Sequence, residues 1–487
     1  MLTNLHLPRR LSTRTLSTFL AACIVSSALI FTLLSILTSD GSDKINEARR
    51  SYQYGISHGI ARTQRIGKST ANADDFCAKH PNLDTIAVVV KTGATAIHER
   101  LPTQLSTALR CVQDPLIFSD LEASLGDLHV HDVLSNFTSS VAESNADFDI
   151  YRMQREYLAQ GKTNEIPRLR DLAMSTKDWR TQGKSAAWAL DKYKFLHMVE
   201  RSWQLQPGRK WYLFLEADTY LSWPTFLQWL KVLDSTQRVY IGSPVLMYEH
   251  DPRIYFAHGG AGIVLSGATV RAFSERQGLA NRWDSRIEKM WFGDFVLADA
   301  LHEELRLRVS NASLAMSPDD PSAISFQPKL LCQPIITIHH MTSQQLDQLW
   351  QFEREKADAV LTYEDMYLAM FPHGMPSKEK SNWDNGADSE VYSLPLPNNE
   401  PSADGCEKAC QQNLECLSFV WTSTRSEKRC HLSRAFRYGR ERTEGADSEN
   451  SWQSGWMSDR IAKVVKEVKC APDHEISWPS YELRPPS

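Results

Sequence analysis

The sequence predicts an α/β fold, and three observations carry that prediction. Apolar, β-branched runs that stop abruptly on polar residues recur along the chain, as in DTIAVVVKTGAT (84–95) and PLIFSD (115–120). Between them lie stretches with helical spacing, such as LPTQLSTALRCV (101–112). The third observation is WYLFLEADTY (211–220), an aromatic and aliphatic run that closes on Glu216 and Asp218 with Ala217 between them. Open α/β sheets bind ligands at the carboxyl ends of their strands. Alternate residues of an extended chain point the same way, so the two acids can share one cation. A strand followed by an ordinary polar turn accounts for the same residues.

The elements follow in chain order. Residues 1–14 carry Arg9, Arg10 and Arg14, and 15–38 hold no charge over a length that crosses a bilayer as a helix; Asp40 and Asp43 follow. The positive-inside rule then predicts a cytosolic tail, a transmembrane anchor and a lumenal remainder, a type II arrangement. A cleaved signal peptide would have a shorter apolar core. Residues 39–76 are polar and read as a stem. Nine cysteines include Cys23 in the span and eight beyond it, an even number that predicts up to four disulfides in an oxidising compartment. Two sequons, at Asn136 and Asn311, fit that compartment.

Residues 77–372 read as one α/β domain. After the first strand, helix and strand, SAAWALDKYKFLHMVERSW (185–203) is helical and leads into the acidic strand. SWPTFLQWLKVLD (222–234) is a helix with Pro224 near its start, where proline is tolerated. The strand VYIGSP, the glycine cluster HGGAGIVLSG (258–267), the segment MWFGDFVLADAL (290–301) and the strand CQPIITIHHM (332–341) complete it. Residues 373–404 turn polar and proline-containing, as a linker does. Residues 405–475 hold Cys406, Cys410, Cys416 and Cys430 at C-x3-C-x5-C-x13-C spacing and read as a small disulfide-stapled α+β module, with 476–487 as a tail. Four cysteines allow three pairings.

Composition excludes little: 23% charged and 42% hydrophobic residues are ordinary globular values. A net charge of −5 gives no basic face for nucleic acid. The chain has no Walker loop, no Gly-x-Ser-x-Gly elbow and no tight zinc-hydrolase spacing. Candidate chemistry lies instead on Glu216/Asp218, His258–Gly262, Asp294 and His339/His340. Carboxylates with an added imidazole suit Mn2+. Asp294, at the start of a helical stretch, also reads as a plain N-cap.

The ordered motifs KTG, IFSD, LDKYKF, WYLFLEADTYL, HGGAGIVLSG, GDFVLADAL and TIHH resemble the inverting glycosyltransferases of family 31. The nearest likeness is to core 1 β1,3-galactosyltransferases and Fringe enzymes, in their fungal branch, over Cys77 to Met341. The resemblance implies a GT-A type nucleotide-sugar transferase domain with a Rossmann-like core. It implies Mn2+ held by Asp218, with Glu216 beside it and His339 as the imidazole ligand, His340 being the alternative register. It implies Asp294 as the catalytic base. Lys91, Thr92, Asp120, Lys192, Lys194, Ala217, Gly259 and Gly260 join Glu216 and Asp218 as nucleotide-sugar contacts, although Lys192 and Lys194 on a helix can equally face solvent.

Two departures stand out. Glu216-Ala217-Asp218 replaces three consecutive aspartates, and Gly293 replaces the first acid of an acidic pair. The carboxyl-terminal module resembles a PAN or apple domain, which implies pairing of Cys406 with Cys430 and Cys410 with Cys416.

The expected activity is transfer of a hexose or N-acetylhexosamine, galactose favoured, from a UDP-sugar to a glycan or glycoprotein, with β1,3 linkage, at the Golgi membrane. The expected partners are that donor, that acceptor and the membrane, with a homodimer left open. The rival reading is a membrane-anchored carbohydrate- or protein-binding protein whose transferase domain is inactive. A glycoside hydrolase comes third and requires two carboxyl groups across one bond.

Overall fold

A computed structural model describes residues 75–80, 83–172, 185–248, 254–356, 359–387, 402–424, 428–442, 451–468, 470 and 478–479. The expected tail, anchor and nearly all of the stem lie outside the described residues. Among the described residues no helix is long and apolar enough to cross a membrane.

Eight strands form one mixed sheet. Their spatial order is Ser310–Asn311, Tyr240–Gly242, Ile263–Ser266, Trp211–Glu216, Ile86–Lys91, Leu116–Ser119, Leu128–Asp132 and Ala123–Leu125. Ile86–Lys91 runs parallel to both Trp211–Glu216 and Leu116–Ser119, and Leu128–Asp132 continues the parallel set. Ile263–Ser266 inserts antiparallel between Trp211–Glu216 and Tyr240–Gly242.

The apolar run of the acidic strand has a simple cause. Leu213 and Leu215 join Val88, Val90 and Ile117 in a core on one face of the sheet, while Tyr212 and Phe214 join Ala87, Val89 and Phe118 in a core on the other. A strand buried on both faces tolerates no polar alternation. Polarity therefore appears only where the strand leaves the core, and the register sets Glu216 beside Lys91 at that edge.

Local capping signals set the helix starts. Ser222 accepts the Thr225 N–H ahead of Trp223–Leu230, whose first turn holds Pro224. The 185–203 stretch becomes helix Ala186–Leu190, one 3-10 turn over Asp191–Tyr193, and helix Phe195–Leu205. The 3-10 turn lets Asp191 and Lys194 meet across three residues, with Lys194 Nζ 2.6 Å from Asp191 Oδ1. Gly293–Leu305 starts at Phe292, so Asp294 lies in the first turn and is not the N-cap.

The four disulfides are Cys77–Cys111, Cys332–Cys470, Cys406–Cys430 and Cys410–Cys416. Cys406–Cys430 staples helix Ala403–Gln412 to strand Lys428–Ser433 and Cys410–Cys416 staples it to the turn before Ser418–Ser423, in an antiparallel sheet that Ser451–Trp456 extends. The expected linker is partly module. Lys380–Ser381 pairs with Ser451–Trp456 and Trp383–Asp384 pairs with Arg440–Glu441, which satisfies backbone groups a free linker would leave to water.

The module is fused to the larger domain rather than tethered beside it. Phe326 and Phe436 exchange backbone hydrogen bonds of 2.9 and 3.0 Å and stack their rings at 5.4 Å. Phe436, Trp456, Ile461 and Val465 belong to the same buried core as Ile336 and Met366. The Cys332–Cys470 bridge closes this junction covalently.

Candidate active site

A cleft of about 560 Å³ opens at the carboxyl edge of Ile86–Lys91 and Trp211–Glu216. It is lined by Lys91, Thr92, Lys192, Glu216, Ala217, Asp218, Gly260, Asp294, His339 and His340 among others. Residues up to 249 positions apart in the motif order thus meet in one place.

Asp218 is the buried centre of the acidic group. Arg100 Nη1 donates to Asp218 Oδ2 at 2.6 Å, and His339 Nε2 stands 3.5 Å from Asp218 Oδ1. His340 Nδ1 stands 3.9 Å from Asp218 Oδ2, and Glu216 Oε2 stands 3.8 Å from His339 Nε2. Burial alone would raise the Asp218 pKa, but the imidazoles of His339 and His340, then Arg100, hold it well below the usual carboxylate range. Burial opposes charge on His339 as well, yet Asp218 and Glu216 outweigh it and lift that pKa to about 9.

These residues fit a divalent cation. Asp218 Oδ1 and His339 Nδ1 are buried without a hydrogen-bond partner. Ligand atoms of Asp218, His339 and His340 all lie within 4.8 Å of one another. Gly260 makes the room: a side-chain carbon there would lie inside the His339 imidazole. His340 adopts φ 54, a left-handed conformation that turns its ring back over His339, with centroids 3.7 Å apart. Both histidines therefore flank Asp218, where the sequence favoured one.

Glu216 differs from Asp218 in its partner. Its Oε1 lies 3.2 Å from Lys91 Nζ, which also donates to Asp191 Oδ2 at 2.7 Å. Burial works against the Lys91 charge, but the carboxylates of Asp191 and Glu216 raise its pKa. Burial would likewise raise Glu216, and Lys91 then His339 bring it down to about 2. The longer glutamate side chain can reach Lys91 and still face His339.

Asp294 enters from the opposite wall. Its Oδ2 accepts the Gly259 N–H at 2.7 Å and its Oδ1 accepts the Phe295 N–H at 2.9 Å. Burial is the main influence and lifts its pKa to about 6, against the two backbone donors. Gly293 has a steric reason: a side chain there would come within 2.8 Å of Phe195 Cε2 and 2.9 Å of Lys192 Cα. Phe195 takes the place that the first acid of a pair would need.

Three expected contacts face the protein instead of the cleft. Lys194 Nζ donates to Thr92 O at 3.0 Å, to Asp120 at 3.1 Å and to Asp191 at 2.6 Å. Asp120 also accepts the Ala94 N–H at 2.8 Å and is 1% exposed, so this pair shapes the Thr92–Ala94 loop from beneath. Lys192 borders the cleft, but its ammonium lies 3.0 Å from both Glu288 O and Asp147 Oδ2. Neither lysine is solvent-facing: both are buried.

Sequence reading missed Arg100, Asp191 and the aromatic wall of Trp188, Trp291 and Phe292. Asp191 sits inside the LDKYKF motif, which gave a usable signal. Arg100 lies among other charges on a helix and gave none.

No curated protein matches the chain. Residues 81–317 match the Fringe-like family, and residues 395–444 match the PAN domain. The chain therefore carries a Fringe-like glycosyltransferase domain of family 31 type, followed by a PAN domain.

Proposed function

We propose that the protein is an inverting, Mn2+-dependent glycosyltransferase that moves a hexose or N-acetylhexosamine, galactose favoured, from a UDP-sugar to a glycan or glycoprotein. A β1,3 linkage, a Golgi membrane location and a type II anchor through residues 15–38 belong to the same reading. The observation that carries it is the convergence of Asp218, His339 and Asp294 on one cleft at the strand ends. Fringe-like transferases use a divalent cation with a UDP-sugar, and the donor set here suits that cation.

Asp218 and His339, with His340 and Glu216 at the next distances, are the residues that would hold Mn2+. Bound there, the ion supplies charge neutralisation for the departing UDP. Lys91 keeps Glu216 ionised and in place. Thr92 and the loop fixed by Asp120 and Lys194 border the nucleotide end of the cleft. Gly259 and Gly260 bring backbone close to the sugar, and the Trp188–Phe292 wall suits the apolar face of a sugar ring. Asp294 takes the proton from the acceptor hydroxyl as its oxygen bonds to the anomeric carbon and the bond to UDP breaks. The two backbone donors aim the carboxylate into the cleft throughout.

The test is to incubate the full chain with a panel of UDP-sugars and Mn2+ and to measure UDP release. We expect one donor to be turned over, with loss on chelation and in Asp218→Ala. If no donor is turned over and Asp218→Ala leaves nucleotide binding unchanged, the inactive, binding-only reading replaces this one.

A further inference from the structure

At the far edge of the sheet, Ala123–Leu125 and Leu128–Asp132 form a hairpin through Gly126 and Asp127, with Gly126 at φ 61. The pairing Ala123 to Val130 puts Glu122 across from His131, and His129 lies on the same face as His131 two residues away. Two imidazoles and one carboxylate are thereby set on one side of a rigid hairpin.

Their geometry is close. Glu122 Oε1 lies 2.5 Å from His129 Nε2, and the two imidazole rings meet edge to face at 4.3 Å. One ligand atom from each of Glu122, His129 and His131 lies within 4.8 Å of the others. Two of the three groups are also oriented from behind. Glu122 Oε2 accepts the Asp132 N–H at 2.8 Å, and the His131 ring rests against Phe118 at 5.6 Å.

The trio opens onto a cavity of about 170 Å³ between the hairpin and helix Phe195–Leu205, whose His197, Glu200, Arg201 and Gln204 line the other side. His197 is already committed to Asp284 at 2.8 Å, and the ligand atoms that meet within 4.8 Å come from Glu122, His129 and His131, which leaves room for water as a fourth.

We propose that Glu122, His129 and His131 form a second metal site, selective for Zn2+ and distinct from the cleft. Two imidazoles and one carboxylate are a borderline-soft set that suits zinc, whereas the acid-dominated cleft suits Mn2+. The hairpin strand Leu128–Asp132 is separated from the acidic strand by Leu116–Ser119 and Ile86–Lys91, so neither site shares a ligand with the other. A metal here would also cross-link the two strands of the edge hairpin through their side chains, since Glu122 precedes Ala123–Leu125 and the histidines lie on Leu128–Asp132.

The experiment uses the full chain, stripped with chelator and held in saturating Mn2+, with bound Zn2+ measured by equilibrium dialysis. We expect one Zn2+ per chain in the wild type and in Asp218→Asn. In His129→Gln and in His131→Gln we expect affinity to fall by more than about tenfold. Thermal melts supply the second readout: Zn2+ should raise the melting temperature of wild type and Asp218→Asn but not of His129→Gln, whose melt without metal and UDP release stay unchanged. Equal Zn2+ binding by His129→Gln and wild type, or its loss in Asp218→Asn alone, overturns the proposal.

Discussion

Gly260 and His339 compete for one volume: any side-chain carbon at 260 would fall within the imidazole of His339. His339 is 5% exposed. The glycine is thus a requirement of the histidine's position, not of backbone conformation.

Gly260→Ala should therefore displace His339 and weaken Mn2+ binding by more than about tenfold, since even outer-shell changes carry that cost. The fold should persist because Gly260 lies in a short 3-10 turn on the cleft wall. Mn2+ titration by calorimetry, with circular dichroism as the control, checks this. Unchanged Mn2+ affinity would remove His339 from the ligand set.

Restoring an acid at 293 should fail for a steric reason. Gly293→Asp meets Phe195 and the Lys192 backbone, so it should destabilise the protein by about 1–3 kcal/mol. Phe195→Ala in the same chain removes the main obstacle, and the double variant should lose less stability than the two single changes sum to. Urea denaturation of all four chains measures that coupling.

The rate of sugar transfer should have an acidic limb set by Asp294. Its pKa is raised to about 6, chiefly by burial, so the carboxylate that accepts the proton is fully formed above that pH and is lost below it. Asp294→Asn should abolish transfer and leave Mn2+ binding intact. A pH–rate profile that keeps its acidic limb in an otherwise active Asp294→Asn would move the base elsewhere.

Stability should fall as pH rises toward 7 because of Glu353. Tyr220 donates to its Oε2 at 2.7 Å and Ser222 to its Oε1, deep in the core. Burial raises its pKa from 4.5 to about 7. The sign follows from linkage: the stabilising neutral acid is fully present below pH 4.5, and its contribution of about 3 kcal/mol is lost as pH climbs through 7. Glu353→Gln keeps an uncharged partner for both hydroxyls. It should be more stable than wild type at pH 8 and similar at pH 4.5, by urea denaturation at the two values.

Much of the larger domain was legible because its signals are local. Strands buried on both faces read as unbroken apolar runs, and their polar ends mark where the sheet stops, which located Glu216 and Asp218 directly. The module's cysteine spacing anticipated both of its disulfides once its family resemblance was seen. Residues 380–384 escaped because strands of two residues paired to partners 56 to 74 positions away have no periodicity of their own.

Sequence alone determined the α/β class, the acids at the strand end, the placement of Asp294 after a glycine and the cysteines available for pairing. Only the tertiary structure decided which charges face the cleft. Lys194 and Asp120 looked like ligand contacts and are buried against each other, while Arg100, which carried no signal in the sequence, reaches Asp218. It also decided that Gly293 leaves room for Phe195 and Gly260 for His339. The reason is physical: burial and strand register act through short-range pattern, but the partner of a charge and the volume beside a glycine depend on elements brought together only when the chain packs.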